Sequence, residues 1–423
     1  MLESIKNFLF NQNAEIIVEA PSRINLINPL DAVEGDFWCP AVAIKGKDHP
    51  LSVFLYIKRI DLPDKIRVYS IETEQNKHKI KLETEEIFNK DLNTIKKGLS
   101  GKNKLIFGSI YRLFKTNSKF WKRFVSQNIE IGLLTTIPRQ SGLGGSSAII
   151  IATLYGLSKY FKLYKVINSI NEKDFPINRD IIAEMATKVE DHDLQIIAGY
   201  GDRYTIARGG LGFCSYYGKL HHKELSKEPL AVYDRIDKIY GIDELPIIVC
   251  FSGILHESGN VHKVLREAYL ANEGDIITNY RKLAEISWKS RFVLMRHDWK
   301  GLGDYFKKNT EIMNQIMVNA GFQHGIGLIN QILIELIEDH PDVYAAKLTG
   351  AGGGGSVFAI VNPDRIDEVF LDWQHRLSEF IKNKSPTDSK FLKYPLEIRK
   401  QLLKAKFFRI KINKKGVSIL KQR

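Results

Sequence analysis

Residues 139–148 read Arg139-Gln140-Ser141-Gly142-Leu143-Gly144-Gly145-Ser146-Ser147-Ala148. The stretch lies between the apolar run Ile129–Ile137 and a second apolar run from Ser146 through Ala148, Ile149, Ile151, Ala152, Leu154, Tyr155 and Leu157. The first reads as a strand and the second as a helix. A glycine-rich turn that opens a helix is an anion site in waiting. Glycines let backbone N–H groups approach a phosphate, and the unpaired N–H groups of the first turn carry partial positive charge. Ser146 and Ser147 stand where a hydroxyl can cap the helix or reach a metal on the phosphates. The chain has no G-x-x-x-x-G-K-[ST], which disfavours a P-loop ATPase, and its glycine spacing is not that of a Rossmann turn.

Two further stretches have the same character. Lys347-Leu348-Thr349-Gly350-Ala351-Gly352-Gly353-Gly354-Gly355-Ser356 precedes the apolar run Val357–Val361. Four consecutive glycines are tolerated where backbone must pass close to something, because each costs about 0.5–1 kcal/mol against alanine. Near the start, Ala20-Pro21-Ser22-Arg23-Ile24-Asn25-Leu26-Ile27-Asn28-Pro29-Leu30-Asp31 follows a strand signal at Ile16–Ala20 and sets Arg23 inside an apolar run. Between these lie two acids. Asp180–Gln195 carries Ile181, Met185 and Val189 at steps of four, one stripe of a helix with Glu190 near its C-terminal end. Twelve residues on, Asp202 stands in Ala198-Gly199-Tyr200-Gly201-Asp202-Arg203. Alone, such an Asp is a turn residue.

Pro138 through Ala148 resembles the phosphate loop of the GHMP kinases (galactokinase, homoserine kinase, mevalonate kinase, phosphomevalonate kinase), P-x-x-x-G-L-G-S-S-A, with one extra glycine. The segment at Ala20–Ile27 resembles the galactokinase opening. Asn28-Pro29-Leu30-Asp31 departs from it and is similar to the glucuronokinase branch. Residues 347–355 resemble the family's C-terminal K-x-T-G-A-G-G-G-G. The Ala-Gly-x-x-Asp-Arg run is similar to that of glucuronokinases, and so is Ser252-Gly253-Ile254-Leu255-His256-Glu257-Ser258-Gly259-Asn260-Val261-His262. The spacing of those two histidines is not a zinc motif. The resemblance spans Ile16 to Leu420, with unmatched stretches at 60–125 and 160–180.

The resemblance implies an α+β fold of two domains. Residues 1–225 form a ribosomal protein S5 domain 2-like N-terminal domain, and residues 226–423 a ferredoxin-like C-terminal domain. It implies ATP as cofactor, held by Pro138, Ser141, Gly142, Leu143, Gly144, Gly145, Ser146, Ser147, Gly350, Gly352 and Gly353. Mg2+ needs few hard oxygen ligands beside nucleotide phosphates, and Glu190 with Ser146 fits. Asp202 takes or orients the proton of the attacking hydroxyl, and Arg23 neutralises charge and holds Asp202 ionised. Asp31, Arg203 and Tyr200 face the substrate, with Arg203 offered to a substrate carboxylate. The implied reaction is ATP-dependent phosphorylation of a sugar or uronic-acid hydroxyl, at the anomeric position. The alternatives are a galactose, other hexose or heptose-phosphate kinase, or a sugar- and ATP-binding regulator without catalysis.

Composition sets outer bounds. The chain has 423 residues, 44% hydrophobic and 26% charged, enough for two globular cores. Its three cysteines are far apart, which suits a reducing cytosol. No secretory leader and no run of apolar residues long enough for a membrane span is evident, so a cytoplasmic monomer or homodimer is expected. The net charge of +13 is concentrated in residues 381–423, which hold 14 Lys or Arg and 2 Asp or Glu. There Phe407–Ile412, the turn Asn413–Gly416 and Val417–Leu420 predict a hairpin with a solvated basic edge. Aromatic interleaving is thin, so nucleic acid is not expected, and weak binding of a polyanion is left open. Residues 262–337 read as strongly helical.

Overall fold

A computed structural model describes residues 1–422 apart from positions 32, 34–36, 75–76, 166–176, 217–223, 227, 256–257, 383–390, 392–393 and 395. Among the described residues, thirteen strands form one connected sheet system. They are β1 (Ile16–Asn25), β2 (Phe37–Gly46), β3 (Ser52–Arg59), β4 (Lys65–Glu74), β5 (Lys77–Ile87), β6 (Ile129–Thr135), β7 (Leu211–Tyr216), β8 (Ala231–Asp234), β9 (Ile247–Phe251), β10 (Val343–Thr349), β11 (Ser356–Val361), β12 (Lys406–Ile412) and β13 (Ser418–Gln422). The order is β10-β11-β9-β12-β2-β1-β3-β6-β4-β5, with β13 on β1, β7 on β2 and β8 on β7. All pairings are antiparallel except β4 with β6. The expected α+β class is observed.

β1 is buried along nine of its ten positions because both faces are covered, and its apolar run reads accordingly. The helix Gly145–Tyr160 lies against β1 and β3. It is apolar almost all round, as a helix inside a core must be. The stretch expected to be helical at 262–337 holds the helices Ser258–Leu270, Ile276–Met295, Trp299–Asn319 and Leu328–Glu335. The helix expected over Asp180–Gln195 runs over Arg179–Lys188, capped by the Asn178 side chain, and then widens into a π-turn at Val189–Asp193. Such single wide turns are frequent at functional sites.

The C-terminal hairpin does not form. β12 pairs with β2 and β9, while β13 pairs with β1. The segment between them is held by the rest of the chain: Asn413 N–H donates to Ala43 O at 2.8 Å and Gly210 N–H donates to Asn413 O at 2.8 Å. Arg179 donates to the carbonyls of Lys415 and Val417. Long-range pairing thus overrides the local turn signal. β12 joins the N-terminal strands to β9–β11, so the sheet is continuous across the two halves. Part of the basic charge is paired, Arg409 with Asp48 and Asp367, and Lys411 with Glu244. Among the described residues, no helix is long and apolar enough to cross a membrane.

Candidate active site

The three glycine- and proline-marked stretches meet at one point. The turn after β6 leads into the helix Gly145–Tyr160, whose N-cap is Gly144 in the left-handed conformation, φ +82°, with no side-chain cap. Capping by Ser146 or Ser147 is therefore absent. Ser146 is exposed in the first turn and Ser147 is buried. The first-turn N–H groups point at whatever sits over the loop, the arrangement that takes phosphate. Pro138 is half-buried one turn before the loop.

Strand β1 fixes the loop from one side. Ser22 Oγ donates to Leu143 O at 2.7 Å, and Arg23 N–H donates to the same carbonyl at 3.2 Å. The second glycine run fixes it from the other, with Ser356 Oγ donating to Ser141 O at 2.8 Å. A Cβ on Gly142 would lie 2.8 Å from Thr349 O, so only glycine admits this approach. Gly350 is thereby brought against Gly142 of the phosphate loop, whereas Gly352 and Gly353 pack on Ile326 and Gly327; all three glycines are at positive φ. The Ser141 hydroxyl is buried with no partner among the described residues.

Asp202 lies beneath the loop, in the first turn of the helix Gly201–Arg208. Arg23 grips it with both forks: Nε donates to Oδ1 and Nη2 to Oδ2, each at 2.5 Å. Its third nitrogen, Nη1, donates to Gly142 O at 2.5 Å. One guanidinium thus joins Asp202 to the glycine loop. Asn25, two positions along β1 and so on the same face, donates to Asp202 Oδ1 at 2.9 Å. Burial pushes the Asp202 carboxyl up, but the charge and hydrogen bonds of Arg23, and the charge of Arg203, win and hold it at about 2.

Arg203 turns inward. It is ion-paired with Glu190, and its Nη1 is 3.6 Å from Asp202 Oδ2. Only 6% of Arg203 is exposed. The expected presentation of this guanidinium to a substrate acid is not the geometry present, since burial beside two carboxylates makes the ion pairs its stable partners. The π-turn aims Glu190 at this point.

Asp31 accepts from Gly201 N–H at 2.6 Å and from the Tyr216 hydroxyl at 3.1 Å. Burial, and then the charge of Asp202, raise its carboxyl to about 6. The Tyr200 ring stands 5.9 Å from that of Tyr216. The two nearby carboxylates therefore have different jobs available, one ionised throughout and one titrating near neutrality.

Asn25 and Tyr216 belong to this site and were not singled out by sequence. Asn25 could have been found from its same-face spacing to Arg23. Tyr216 carries no local signal. His256 lies outside the described residues.

The chain matches the family description "GHMP kinases N terminal domain" over residues 105–210 and "GHMP kinases C terminal" over residues 294–379. It belongs to the GHMP kinase family. Similar curated proteins include "Probable glucuronokinase 2" of Arabidopsis thaliana, 26% identical over 264 residues, covering 60% of this chain and 63% of that one. "D-glycero-alpha-D-manno-heptose 7-phosphate kinase" of Campylobacter jejuni is 25% identical, covering 62% of this chain and 68% of that one. This chain spans 63% and 59% of the length of two glucuronokinases it matches. Among solved structures, galactokinase of Lactococcus lactis complexed with galactose has a TM-score of 0.62 at 16% identity, covering 99% of both chains. Mevalonate kinase of Methanococcus jannaschii has a TM-score of 0.59 at 17% identity, covering 95% of this chain and 99% of that one. These likenesses show the two-domain GHMP kinase fold.

Proposed function

We propose that this protein transfers the γ-phosphoryl group of ATP to a hydroxyl of a sugar or uronic acid, with the anomeric hydroxyl as acceptor. Residues 1–225 supply the nucleotide loop and the catalytic groups, and residues 226–423 close the site. The observation that carries the reading is the two-forked Arg23–Asp202 pair joined to Gly142 of the phosphate loop. It sets an ionised acceptor next to the site for the phosphates.

The acceptor oxygen forms the new bond to phosphorus as the bond to the ADP oxygen breaks. In a loose transition state the hydroxyl proton leaves late. A carboxylate held near 2 is a weak base, so Asp202 acts by accepting the hydroxyl's hydrogen bond and aiming its lone pair. It takes the proton as the oxygen becomes acidic. Arg23 keeps Asp202 ionised and lends positive charge to the loop. The ionised form of Asp31 accepts hydrogen bonds from sugar hydroxyls.

The donor set also suits Mg2+, because the Glu190 carboxylate and Ser146 hydroxyl are hard oxygen ligands. When bound, such an ion would neutralise charge on the nucleotide phosphates. To hold such an ion, Glu190 would have to exchange its partner Arg203.

A phosphotransfer assay against a panel of uronic acids, neutral hexoses and heptose phosphates tests the reading. ATP-dependent formation of a sugar phosphate supports it. Nucleotide and sugar binding without transfer would point to the regulator. A heptose-phosphate acceptor remains the second reading because a relative of that name aligns over 68% of its length.

A further inference from the structure

We propose that Asn309 is a positioning residue of the acceptor site: from the C-terminal half it anchors the backbone of Asn28 and so sets where Asp31 stands. The inference rests on the kinase reading above, in which Asp31 meets sugar hydroxyls, and adds a residue to that site.

Asn309 lies in the middle of the helix Trp299–Asn319, within the matched C-terminal family domain. The buried face of that helix is otherwise Leu302, Gly303, Phe306, Met313, Ile316 and Met317. An amide among them is costly unless it is bonded. Asn309 is 0% exposed, and its Oδ1 accepts from Asn28 N–H at 2.9 Å. Its Nδ2 has no partner among the described residues, so the acceptor oxygen alone accounts for the amide. Asn28 is equally buried and lies three residues past the end of β1, with a left-handed backbone at φ +54°. A leucine at 309 would suit the helix face and leave the Asn28 N–H buried without its acceptor.

The anchor is three residues from Asp31. Between them stand Pro29, whose ring fixes φ, and the fully buried Leu30. A rotation at Asn28 therefore passes to Asp31 with little slack. Asp31 is held at its other side by Gly201 N–H at 2.6 Å and the Tyr216 hydroxyl at 3.1 Å. The C-terminal half grips the same segment at two more points. Thr349 Oγ1 accepts from Asn25 N–H at 3.3 Å, and Ser287 Oγ donates to Trp38 O. The sheet of the N-terminal half and the helices of the C-terminal half thus place Asp31 together.

The titratable and charged groups around Asp31 are Asp202 and Arg203 of the helix Gly201–Arg208, Cys39 of β2, and Cys214 and Tyr216 of β7. Burial and Asp202 push its carboxyl up, while Arg203, Gly201 N–H and Tyr216 pull it down. Asn309 carries no charge, so its loss reaches the titration of Asp31 by moving Asp31 among these groups.

The test compares wild type, Asn309→Leu and Asn309→Asp. The aspartate keeps the acceptor oxygen and, because Nδ2 has no partner, forfeits no bond. Tm and circular dichroism check folding. On the sugar that wild type phosphorylates, Asn309→Leu should raise KM about 3–10-fold, the worth of one hydrogen bond, with the Kd for ATP unchanged. Asn309→Asp should recover most of the loss. The acid limb of the rate profile that belongs to Asp31 should move in Asn309→Leu, toward lower pH as the segment opens to water, and stay in Asn309→Asp. A lowered Tm with sugar KM and limb unchanged, or an equal loss for sugar and ATP, makes Asn309 a core residue only and overturns the proposal. If Asn309→Leu does not fold, Asn309→Ser, too short to reach Asn28, takes its place under the same criteria. If wild type phosphorylates none of the sugars, the kinase reading has failed instead. Urea melts of each protein beside its Asp31→Asn counterpart, between about pH 4 and 8, then decide the anchor alone. The difference within each pair reports the Asp31 titration, and the same difference in wild type and Asn309→Leu overturns the proposal.

Discussion

Arg203 holds Glu190 in a buried ion pair while its other outer nitrogen faces Asp202 at 3.6 Å. The carboxylate suited to a metal is therefore neutralised by the chain itself. Arg203→Met should leave Glu190 as an uncompensated buried charge and cost about 3–5 kcal/mol in metal-free buffer. A divalent cation should restore more to the variant than it adds to wild type, because it no longer competes with a guanidinium. Thermal melts with and without Mg2+ read this directly. Equal metal-induced shifts in the two proteins would show that Arg203 and the cation do not share Glu190.

Gly144 is held at φ +82°, and a Cβ there would lie 3.1 Å from Arg23 Cγ and 3.2 Å from Ile206 Cδ1. Gly144→Val adds a β-branched side chain in a conformation it disfavours and presses on the arginine that holds Asp202. ATP affinity should drop at least about 10-fold, the loss of one or two charge-assisted hydrogen bonds. Calorimetry with ATP on folded variant settles it. An unchanged Kd would make the loop a mere connection.

The three glycine-marked stretches were legible because close backbone approach leaves few residue types to choose from. Asp202 and Glu190 could be named from their twelve-residue interval and flanking glycines. What Glu190 touches could not, because the π-turn at Val189–Asp193 re-aims it by a geometry that leaves no sequence mark. Arg203 shows the same limit: its neighbour Asp202 suggested a substrate contact, yet its direction is set by the helix Gly201–Arg208 and by Glu190. The splaying of β12 from β13 was illegible for a different reason. Their alternation predicts strands, but partners are chosen by β2, β9 and β1, all far away in the chain.

Asp31 offers a pH test. Its carboxyl ionises at about 6 in the folded chain against 3.8 for the free group, because burial and Asp202 oppose its charge. The folded state thus holds the proton more tightly, and the ionised form carries a penalty that is full above pH about 6. The penalty vanishes as pH falls toward 3.8. Asp31→Asn should gain stability on the order of 1–3 kcal/mol at pH 8, a gain that shrinks between pH 6 and 4, while sugar kcat/KM falls. Urea melts across that range check it. A gain independent of pH would assign the effect to packing rather than charge.

Lys347 is fully buried, donates to Leu348 O at 2.7 Å and lies 4.9 Å over the Phe358 ring. Burial lowers its ammonium to about 7. The unfolded chain holds that proton up to the ordinary range near 10.5, so the cost of the charged form is full below pH 7 and fades as pH rises toward 10.5. Lys347→Met should therefore stabilise the protein at pH 6, on the order of 1–3 kcal/mol, and progressively less at pH 9. Denaturant midpoints at the two pH values give the answer. Destabilisation at both would mean that the Leu348 hydrogen bond outweighs the buried charge.

The Arg23–Asp202 pair makes the sharpest demand. Asp202 is held at about 2, below its free value of 3.8, so the pair adds stability that is present above pH 3.8 and lost as pH falls through about 2. Two consequences differ from those of a titrating base. The rate profile should show no acid limb from Asp202 above pH 3, and any limb near pH 6 should belong to Asp31 and disappear in Asp31→Asn. Asp202→Asn should lower kcat about 10²–10⁴-fold, because the amide cannot accept the hydroxyl's proton or balance Arg23. ATP affinity should change far less, since Arg23 keeps its bond to Gly142 O and the helix N-terminus is intact. Arg23→Lys separates the two roles of the arginine. It retains the charge, forfeits the two-forked grip and should lose turnover and loop rigidity together. Pre-steady-state measurement of phosphoryl transfer, beside ATP binding by calorimetry, resolves these effects. Near-normal transfer in Asp202→Asn would remove Asp202 from the chemistry and leave its pairing with Arg23 as a brace for the phosphate loop.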